Sequence, residues 1–192
     1  MAAVHGSLFD PDVPDGFSYR PECISPEEET ALVADVGHIE FADFEMRGVV
    51  ARRRVAFFGA SYDAGRTATP PIPDFLLPLR ARVAAWAGLD PAALQMALIN
   101  AYPPGAPIGW HRDAPQYDMV AGVSLLTPCR MKFRPYVSPS AAAGGARRAA
   151  THELHLAPRS GYLMKGVART AYEHHIPAVT ALRYSITFRT LR

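Results

Sequence analysis

The amino-acid sequence predicts an α+β protein that is mainly β, with its helices confined to the N-terminal part. Two helix patterns occur before residue 94, whereas six short apolar runs separated by Pro and Gly follow it. Short runs without long helical patterns between them are typical of an antiparallel sandwich or barrel. The runs are LQMALINAY, MVAGVSLL, RMKFRPYV, HELHLA, SGYLMKG and LRYSITFRTL.

The N-terminal part is expected to hold two helices and a hairpin. The tetrapeptide SPEE at residues 25–28 supplies an N-cap, a proline at the first helical position and a capping-box glutamate, which predicts a helix over residues 26–36. Residues 41–58 are rich in β-branched and aromatic side chains interrupted by one glycine, which predicts short strands or a hairpin. A second helix is predicted over residues 75–87.

Three further segments are predicted to be connections. Residues 1–24 are rich in Pro, Asp and Gly and predict an extended lead-in, and residues 59–73 are turn-like. The insert at residues 138–150, SPSAAAGGARRAA, predicts a mobile hairpin loop.

The composition fits one globular domain. Of the 192 residues, 49% are hydrophobic and 20% charged, so the chain can bury a single core without requiring a second domain. The formal net charge of +2 permits a nucleic-acid partner without requiring one. Cys23 and Cys129 are far apart in sequence, which argues against a disulfide scaffold or a zinc ribbon.

The chain has no feature of an exported or membrane-spanning protein. Its first residues contain no basic segment followed by an apolar run, and no stretch approaches the roughly 18 consecutive apolar residues of a membrane-spanning helix. We therefore expect a soluble, monomeric, cytoplasmic protein without a membrane partner.

His111 and Asp113 are candidate metal ligands. They lie two residues apart, and in an extended backbone such side chains share one face and can reach one cation. A His-x-Asp triplet alone usually lies on a solvated loop, so a third ligand is required. Either His174 or His175 could complete a set of two histidines and one carboxylate. Such a set leaves positions open on an octahedral Fe(II), whereas structural zinc takes four protein ligands.

The segment RYSITFR at residues 183–189 alternates polar and apolar residues, which places Arg183, Ser185, Thr187 and Arg189 on one face of a strand. Such alternation usually indicates a strand with one solvent-exposed polar face, but inside a barrel the polar face would line a pocket. Two guanidinium groups on one face suit a dicarboxylate such as 2-oxoglutarate, because each can bind a carboxylate with two hydrogen bonds.

Asn100 and Tyr102 share a face of another predicted strand, just before a Pro-Pro-Gly turn. Each side chain offers a hydrogen bond to a ligand oxygen. Each could equally be a core polar group that is satisfied by protein partners, and the residues alone leave both interpretations open.

In combination these motifs resemble the AlkB family of Fe(II)- and 2-oxoglutarate-dependent dioxygenases in order and spacing. The joint pattern is far more specific than any of its parts. The motifs, which extend over residues 100–189, are Asn100-x-Tyr102-x-Pro104-Gly105, His111-x-Asp113, His174, and Arg183 with Arg189.

The resemblance implies a fold and a reaction. It implies a double-stranded β-helix (jelly roll) as the catalytic core over residues 94–192. Residues 1–93 would form an extension with helices packed on one sheet and a region like a nucleotide-recognition lid. The implied reaction uses Fe(II), O2 and 2-oxoglutarate to demethylate N-alkylated bases of DNA or RNA, and it releases formaldehyde, succinate and CO2.

The resemblance also implies roles for individual residues. His111, Asp113 and His174 would be the catalytic iron ligands, because the family's second histidine follows an aromatic residue by two positions, as His174 follows Tyr172. His175 then takes a variable position. The carboxylate ends of 2-oxoglutarate would be bound by two arginines, with help from an asparagine and a tyrosine. These four residues are Arg183, Arg189, Asn100 and Tyr102.

Basic and aromatic residues before the core are candidate substrate contacts, because phosphate contacts and base stacking together suit a flipped base. The alternative for each is an exposed basic strand with aromatic residues in the core. Trp110 and Arg112, beside His111, are further candidates. The full set is Arg52, Arg53, Arg54, Phe57, Tyr62, Trp110 and Arg112.

One position departs from the family pattern. Many nucleic-acid demethylases of this family carry an acidic residue two positions after the metal aspartate, where it can meet the exocyclic amine of a flipped base. Pro115 occupies that position here. Arg112, Asp118 and Glu173 are candidate replacements.

Three functions therefore stay open. They are a nucleic-acid dealkylase, a 2-oxoglutarate oxygenase acting on a protein or small molecule, and a jelly-roll binding module without catalysis. The complete set of metal ligands argues against the third, and the basic and aromatic stretch favours the first over the second.

Overall fold

In this computed structural model, the described residues are 13–46, 48–60, 69–138, 140 and 151–192. They form strands and helices with short connections. In chain order the elements are β1 Phe17–Arg20, α1 Pro26–Val36, β2 Ala42–Met46, β3 Val49–Gly59, α2 Leu77–Ala87, β4 Met96–Tyr102, β5 Ile108–His111, β6 Tyr117–Leu125, β7 Cys129–Pro135, β8 His152–Leu156, β9 Gly161–Met164, α3 Gly166–Thr170, β10 Tyr172–Ile176 and β11 Arg183–Leu191.

The strands form two sheets that pack face to face. The larger sheet has seven strands in the order β1-β9-β6-β11-β4-β3-β2, and the smaller has four in the order β5-β10-β7-β8. Every pairing is antiparallel. Apolar side chains from both sheets, among them Val120, Met164, Met131 and Phe133, meet in one buried cluster. The predicted mainly β class and antiparallel sandwich are thereby confirmed.

Both long helices cover the outer face of the larger sheet. Leu32 and Val36 of α1 and Val83 of α2 belong to a buried cluster that includes Ile186 and Phe188 of β11. Because side chains alternate along a strand, this packing turns the polar residues of β11 toward the smaller sheet. The helix layer thus directs the arginine-bearing face of the strand into the interior.

The first helix begins as predicted, at a capping box. The Ser25 hydroxyl accepts a hydrogen bond from the Glu28 amide at 3.2 Å, and the Glu28 carboxylate accepts one from the Ser25 amide at 2.8 Å. These two contacts satisfy amides that the first turn of a helix leaves without partners. The second helix begins at Leu77, two residues later than predicted, because a 3-10 turn over Asp74–Leu76 precedes it.

The N-terminal part also contributes strands to both edges of the larger sheet. The predicted hairpin is present as β2 and β3, with Gly48 between them at a φ of 77°. The other edge is formed by β1, which pairs with β9, within the segment predicted as an extended lead-in. All of the predicted loop at 138–150 except Ser138 and Ser140, and more than half of the turn-like segment 59–73, lie outside the described residues.

Within the described ranges, every helix is too short or too polar to cross a lipid bilayer.

Candidate metal centre and cosubstrate pocket

Three predicted ligands meet at one end of the smaller sheet. His111 in β5 and His174 in β10 are directly opposite each other in the antiparallel register, with ring centroids 4.2 Å apart. Asp113 follows β5, and its Oδ2 lies 3.8 Å from Nε2 of His174. One ligand atom from each residue lies within 4.8 Å of the other two. Strand pairing therefore assembles two histidines and a carboxylate that are far apart in sequence.

The donor atoms of this cluster suit a divalent cation. Nδ1 of His111 donates to the Gly109 carbonyl at 2.8 Å, which leaves Nε2 available as a ligand. Oδ2 of Asp113 is buried and has no hydrogen-bond partner among the described residues. A buried carboxylate oxygen without a donor is unfavourable unless a cation binds it. Two imidazoles and one carboxylate fit Fe(II) and leave coordination positions open.

Electrostatics keep two of the candidate ligands, Asp113 and His174, in the forms that bind metal. Burial would raise the pKa of Asp113, but Arg189, His174 and His111 outweigh it and hold this pKa well below its usual range. Burial and the neighbouring His111 lower the pKa of His174 to about 3. At neutral pH the carboxylate is therefore ionised and the imidazole of His174 neutral, as metal coordination requires.

His175 points to the opposite face of β10. Its Nδ1 donates to the Ile108 carbonyl at 2.6 Å, and its ring stacks on Trp110 with centroids 5.1 Å apart. Adjacent residues in a strand face opposite sides of the sheet. The structure thus brings His174, and not His175, to the other two predicted ligands.

Arg183 is a fully buried cation on the inner face of β11. Nη2 donates to the Ser124 hydroxyl at 2.8 Å, and the guanidinium lies 5.0 Å from the centre of the Tyr102 ring. Its Nε and Nη1 have no hydrogen-bond partner among the described residues. A buried guanidinium with two unsatisfied nitrogens is costly by itself and suits a bound carboxylate.

Arg189 links the second end of the same strand to the metal centre. Nη2 lies 3.4 Å from Oδ1 of Asp113, and Nη1 donates to the Thr187 hydroxyl at 3.0 Å. Arg189 and the three metal-ligand candidates line one cavity, and Arg183 lies beside Tyr102, which also lines it. Its lining includes Asn100, Tyr102, Ile108, His111, Asp113, Val120, Met131, Tyr162, His174, Ile176, Ser185, Thr187 and Arg189.

The three consecutive arginines of β3 are divided between two faces. Arg53 is buried, donates from Nε to Asn100 Oδ1 at 3.3 Å and lies 4.3 Å from the centre of the Phe44 ring. Neither of these two partners of Arg53 is a carboxylate. Arg52 and Arg54 are exposed, and Arg54 pairs with Asp43 at 3.5 Å. Only the middle arginine therefore faces the interior.

Phe57 lies in a small aromatic cluster beside the metal centre. The cluster combines partly buried Phe44, Phe57 and Tyr117 with buried apolar residues that include Leu98. The guanidinium of Arg189 lies 5.2 Å from the centre of the Tyr117 ring, which connects the cluster to the cavity. Tyr62, the other aromatic candidate of this region, lies outside the described residues.

Trp110 and Arg112 are placed away from the cavity. The Trp110 ring lies on the outer face of the smaller sheet, where the Arg134 guanidinium is 4.0 Å from its centre. Exposed Arg112 lies 3.6 Å from the centre of the Tyr136 ring and donates to the Thr170 carbonyl at 3.2 Å. Successive side chains of an extended chain point to opposite faces. Because His111 faces inward, Trp110 and Arg112 on either side of it face outward.

The candidate acidic replacements for the missing carboxylate also face outward. Asp118 is exposed and pairs with Arg192 at 3.7 Å. Glu173 forms an ion pair with Arg134 on the outer face of the smaller sheet. Among the residues that line the cavity, Asp113 is the one carboxylate.

Two buried residues at the site were not predicted. Arg169 in α3 donates to the Ala114 carbonyl and, at 3.2 Å, to that of Tyr117, so it ties down the loop after Asp113. Tyr162 lines the cavity from β9. Local sequence patterns carry no signal for either residue, because both roles depend on which strands and loops become neighbours.

Comparisons with known proteins agree with this geometry. Residues 57–189 match the family described as the 2OG-Fe(II) oxygenase superfamily. The alkylated DNA repair protein ALKBH8 homolog of Arabidopsis thaliana is 27% identical over 181 residues, which cover 84% of this chain and 51% of that protein. The chain thus spans about half the length of this relative.

Solved structures share the fold. OsALKBH1 superposes with a TM-score of 0.70 at 12% identity, covering 93% of this chain and 99% of that one. A prolyl-4-hydroxylase from Pseudomonas putida superposes with a TM-score of 0.59 at 14% identity, covering 92% and 93%. Such low identities establish the fold alone, which is the double-stranded β-helix implied by the family motifs. The matched residues include all three metal-ligand candidates and both arginines, and the chain belongs to the 2OG-Fe(II) oxygenase superfamily.

Proposed function

We propose that the chain is an Fe(II)- and 2-oxoglutarate-dependent dioxygenase that demethylates N-alkylated bases of DNA or RNA. The observation that carries this proposal is one cavity in which His111, Asp113 and His174 meet Arg189, with Arg183 beside the lining residue Tyr102. Both guanidinium groups retain buried nitrogens without a hydrogen-bond partner among the described residues. A cation site beside two anion-binding groups suits a metal and a dicarboxylate that bind together.

In this proposal each group has a defined role. His111, Asp113 and His174 hold the iron, and Arg183 and Arg189 bind the carboxylates of 2-oxoglutarate with help from Asn100 and Tyr102. With iron, 2-oxoglutarate and O2 bound, the site oxidises 2-oxoglutarate to succinate and CO2 and hydroxylates an N-methyl group, which leaves as formaldehyde.

The residues around the cavity exclude water from the reaction and fix the orientation of the Asp113 carboxylate. Apolar Ile108, Val120, Met131 and Ile176 line it between the polar groups, and they exclude water from the reacting centre. The ion pair from Arg189 fixes the Asp113 carboxylate, so that its free oxygen stays directed at the cluster.

The aromatic cluster beside the cavity suits a planar substrate. Phe44, Phe57 and Tyr117 offer ring faces on which a flipped base can stack, and Arg53 offers charged donors to a base carbonyl or a phosphate. The Arabidopsis relative is named for the repair of alkylated DNA, which supports the same substrate class.

A second candidate is hydroxylation or demethylation of a protein or small molecule. Two observations favour a protein or small-molecule substrate over a nucleic-acid substrate. Exposed Pro115 removes the acidic group that would meet a base amine, and neither Asp118 nor Glu173 faces the cavity to replace it.

One assay distinguishes the two candidate functions. The protein would be incubated with Fe(II), 2-oxoglutarate and methylated single- and double-stranded DNA and RNA, and formaldehyde and base composition would be measured. We expect formaldehyde and loss of the methylated base with at least one oligonucleotide. Succinate formation without demethylation of any oligonucleotide would favour the second candidate.

Arg53→Gln tests the substrate side of the proposal. Loss of the charged donor beside the lining residue Asn100 should raise KM for the oligonucleotide by roughly 10- to 100-fold, since hydrogen bonds to charged groups contribute about 1.5–3 kcal/mol. Arg130→Gln is the matched control, because Arg130 lies on the outer face of the smaller sheet and pairs with Glu153. Equal KM values for the two variants would remove Arg53 from substrate binding.

A further inference from the structure

The short helix α3 lies next to the loop that carries Asp113. Its Arg169 is 4% exposed, and Nη2 of this residue donates to two backbone carbonyls, those of Ala114 and, at 3.2 Å, of Tyr117. The Tyr117 amide itself donates to the Ala114 carbonyl at 3.2 Å, so the two carbonyls belong to the two ends of one turn. One guanidinium nitrogen therefore holds both ends of the turn that begins directly after the metal-ligand candidate.

A second contact from α3 reaches the other side of Asp113. The Thr170 carbonyl, at the end of the helix, accepts a hydrogen bond from Nη1 of Arg112 at 3.2 Å. The Arg112 guanidinium also lies 3.6 Å from the centre of the Tyr136 ring, which limits its movement. The two sequence neighbours of Asp113 are thus both hydrogen-bonded to consecutive residues of one helix.

The helix is itself held in place by the segment that leads into β1. The Ala168 amide, which the first turn of a helix leaves without an internal partner, donates to the Asp15 carbonyl at 2.8 Å. The Lys165 amide donates to the Gly16 carbonyl at 3.0 Å. A Cβ on Gly16 would lie 2.2 Å from the Lys165 carbonyl oxygen, so only glycine permits this close approach. The helix therefore has a fixed position relative to the larger sheet.

Asp113 needs such support because it is the ligand candidate that lies outside a strand. His111 and His174 belong to β5 and β10, whose pairing fixes their backbones. Asp113 lies in the loop between β5 and β6. A functional site tolerates displacements of only about 0.5 Å, so a ligand in a loop depends on contacts from outside the loop. Buried Arg169 supplies a charged donor, and hydrogen bonds from charged groups are stronger than those from neutral groups.

We infer that α3 is a positioning element for the metal ligand Asp113, and that Arg169 is its main positioning residue. Arg169 acts through the backbone of residues 114–117 and needs no contact with the metal or the cosubstrate. The hydrogen bond between Arg112 and Thr170 restrains the backbone on the other side. This inference rests on the proposed function, because it assigns a role at the proposed metal centre.

Arg169→Gln removes the charge and shortens the side chain, so both contacts of Nη2 are lost. The affinity for Mn(II) would be measured by calorimetry on the folded protein, without cosubstrate or turnover. We expect Kd for Mn(II) to rise roughly 10-fold, at the lower end of the 10- to 100-fold cost of removing outer-shell partners. Arg169→Lys should restore most of the affinity, since a lysine ammonium carries three donors on one nitrogen and can serve both carbonyls.

Two further variants complete the test. Arg82→Gln is the matched control, because Arg82 also donates to a backbone carbonyl, that of Cys23 at 3.0 Å, but lies in α2 on the outer face of the larger sheet. It should bind Mn(II) as the wild type does. Arg112→Ala removes the contact with Thr170 at an exposed residue, where substitution leaves the core intact, and should raise Kd for Mn(II) roughly 2- to 5-fold.

The outcomes distinguish this inference from the proposed function. Wild-type protein that fails to bind Mn(II) would contradict the proposed metal centre itself. If the wild type binds and Arg169→Gln binds equally well, or if Arg82→Gln loses as much affinity, Arg169 is not a positioning residue. An Arg169→Lys variant no better than Arg169→Gln would also overturn the assignment. Should Arg169→Gln not fold, wild-type affinity in Arg112→Ala would exclude the role of α3.

Discussion

His174 and His175 are adjacent in sequence but lie in opposite environments. His174 is buried against His111 and Asp113, and its pKa is lowered to about 3. His175 stacks on Trp110 at the other face of the sheet. The candidate metal centre therefore depends on the direction of single side chains, which strand alternation determines.

This pair gives a matched test of the metal ligands. His174→Ala should weaken Mn(II) or Fe(II) binding by at least about 100-fold, since changes to outer-shell partners alone cost 10- to 100-fold. His175→Ala should bind the metal as the wild type does. Calorimetric or fluorescence titration would measure both. A larger loss in His175→Ala would reverse the assignment.

The two thiols provide a prediction of pH dependence. Burial raises the pKa of both Cys23 and Cys129 above the ordinary value for cysteine. The native thiols should therefore stay protonated and resist iodoacetamide as the pH rises from about 7 to 9, where an exposed thiol with a pKa of about 8.5 becomes reactive. Labelling followed by mass spectrometry measures this. Rapid labelling of the folded protein would contradict it.

Among the elements, β11 was readily predicted from the sequence, whereas β5 was not. Alternation along Arg183–Leu191 is a local property, so the sequence predicts both the strand and its polar face. Strand β5 has only four residues, of which one is Gly109, and it is held in place by pairing with β10. The positions of Tyr162 and Arg169 depend on similar long-range pairing, which local patterns do not encode.

The capping box of α1 gives a prediction for an element. Ser25→Ala removes the hydroxyl that accepts from the Glu28 amide, so the free energy of unfolding should fall by about 1 kcal/mol. Chemical denaturation measures the change, with Ser18→Ala at an exposed position of β1 as the control. Equal free energies of unfolding for the two variants would show that the cap does not stabilise the protein.

In the whole molecule, the helices and the smaller sheet cover opposite faces of the larger sheet. The buried cluster that includes Ile186 lies between the helices and the larger sheet. The buried cluster that includes Phe133 lies between the two sheets. The six predicted runs all became strands, because each combines apolar content with flanking turn residues. Strand β1 was missed because its flanking prolines and glycine are typical of turns, while its pairing with β9 is a tertiary effect.

Ligand binding should stabilise the whole fold. Mn(II) with 2-oxoglutarate at about 100 times its Kd should add about 2.7 kcal/mol to the free energy of unfolding. The melting temperature of the wild type should rise accordingly, as measured by differential scanning fluorimetry. Arg183→Gln should keep the shift caused by Mn(II) and lose most of the additional shift caused by 2-oxoglutarate. A full additional shift in this variant would exclude Arg183 from cosubstrate binding.

The most direct measurement compares the wild type with Asp113→Ala in the presence of Fe(II), 2-oxoglutarate, O2 and a methylated oligonucleotide, with succinate and formaldehyde quantified together. The wild type should release succinate and formaldehyde in equal amounts, and Asp113→Ala should release neither. Formaldehyde released without 2-oxoglutarate, or succinate formation retained in Asp113→Ala, would contradict the proposed metal centre and its reaction.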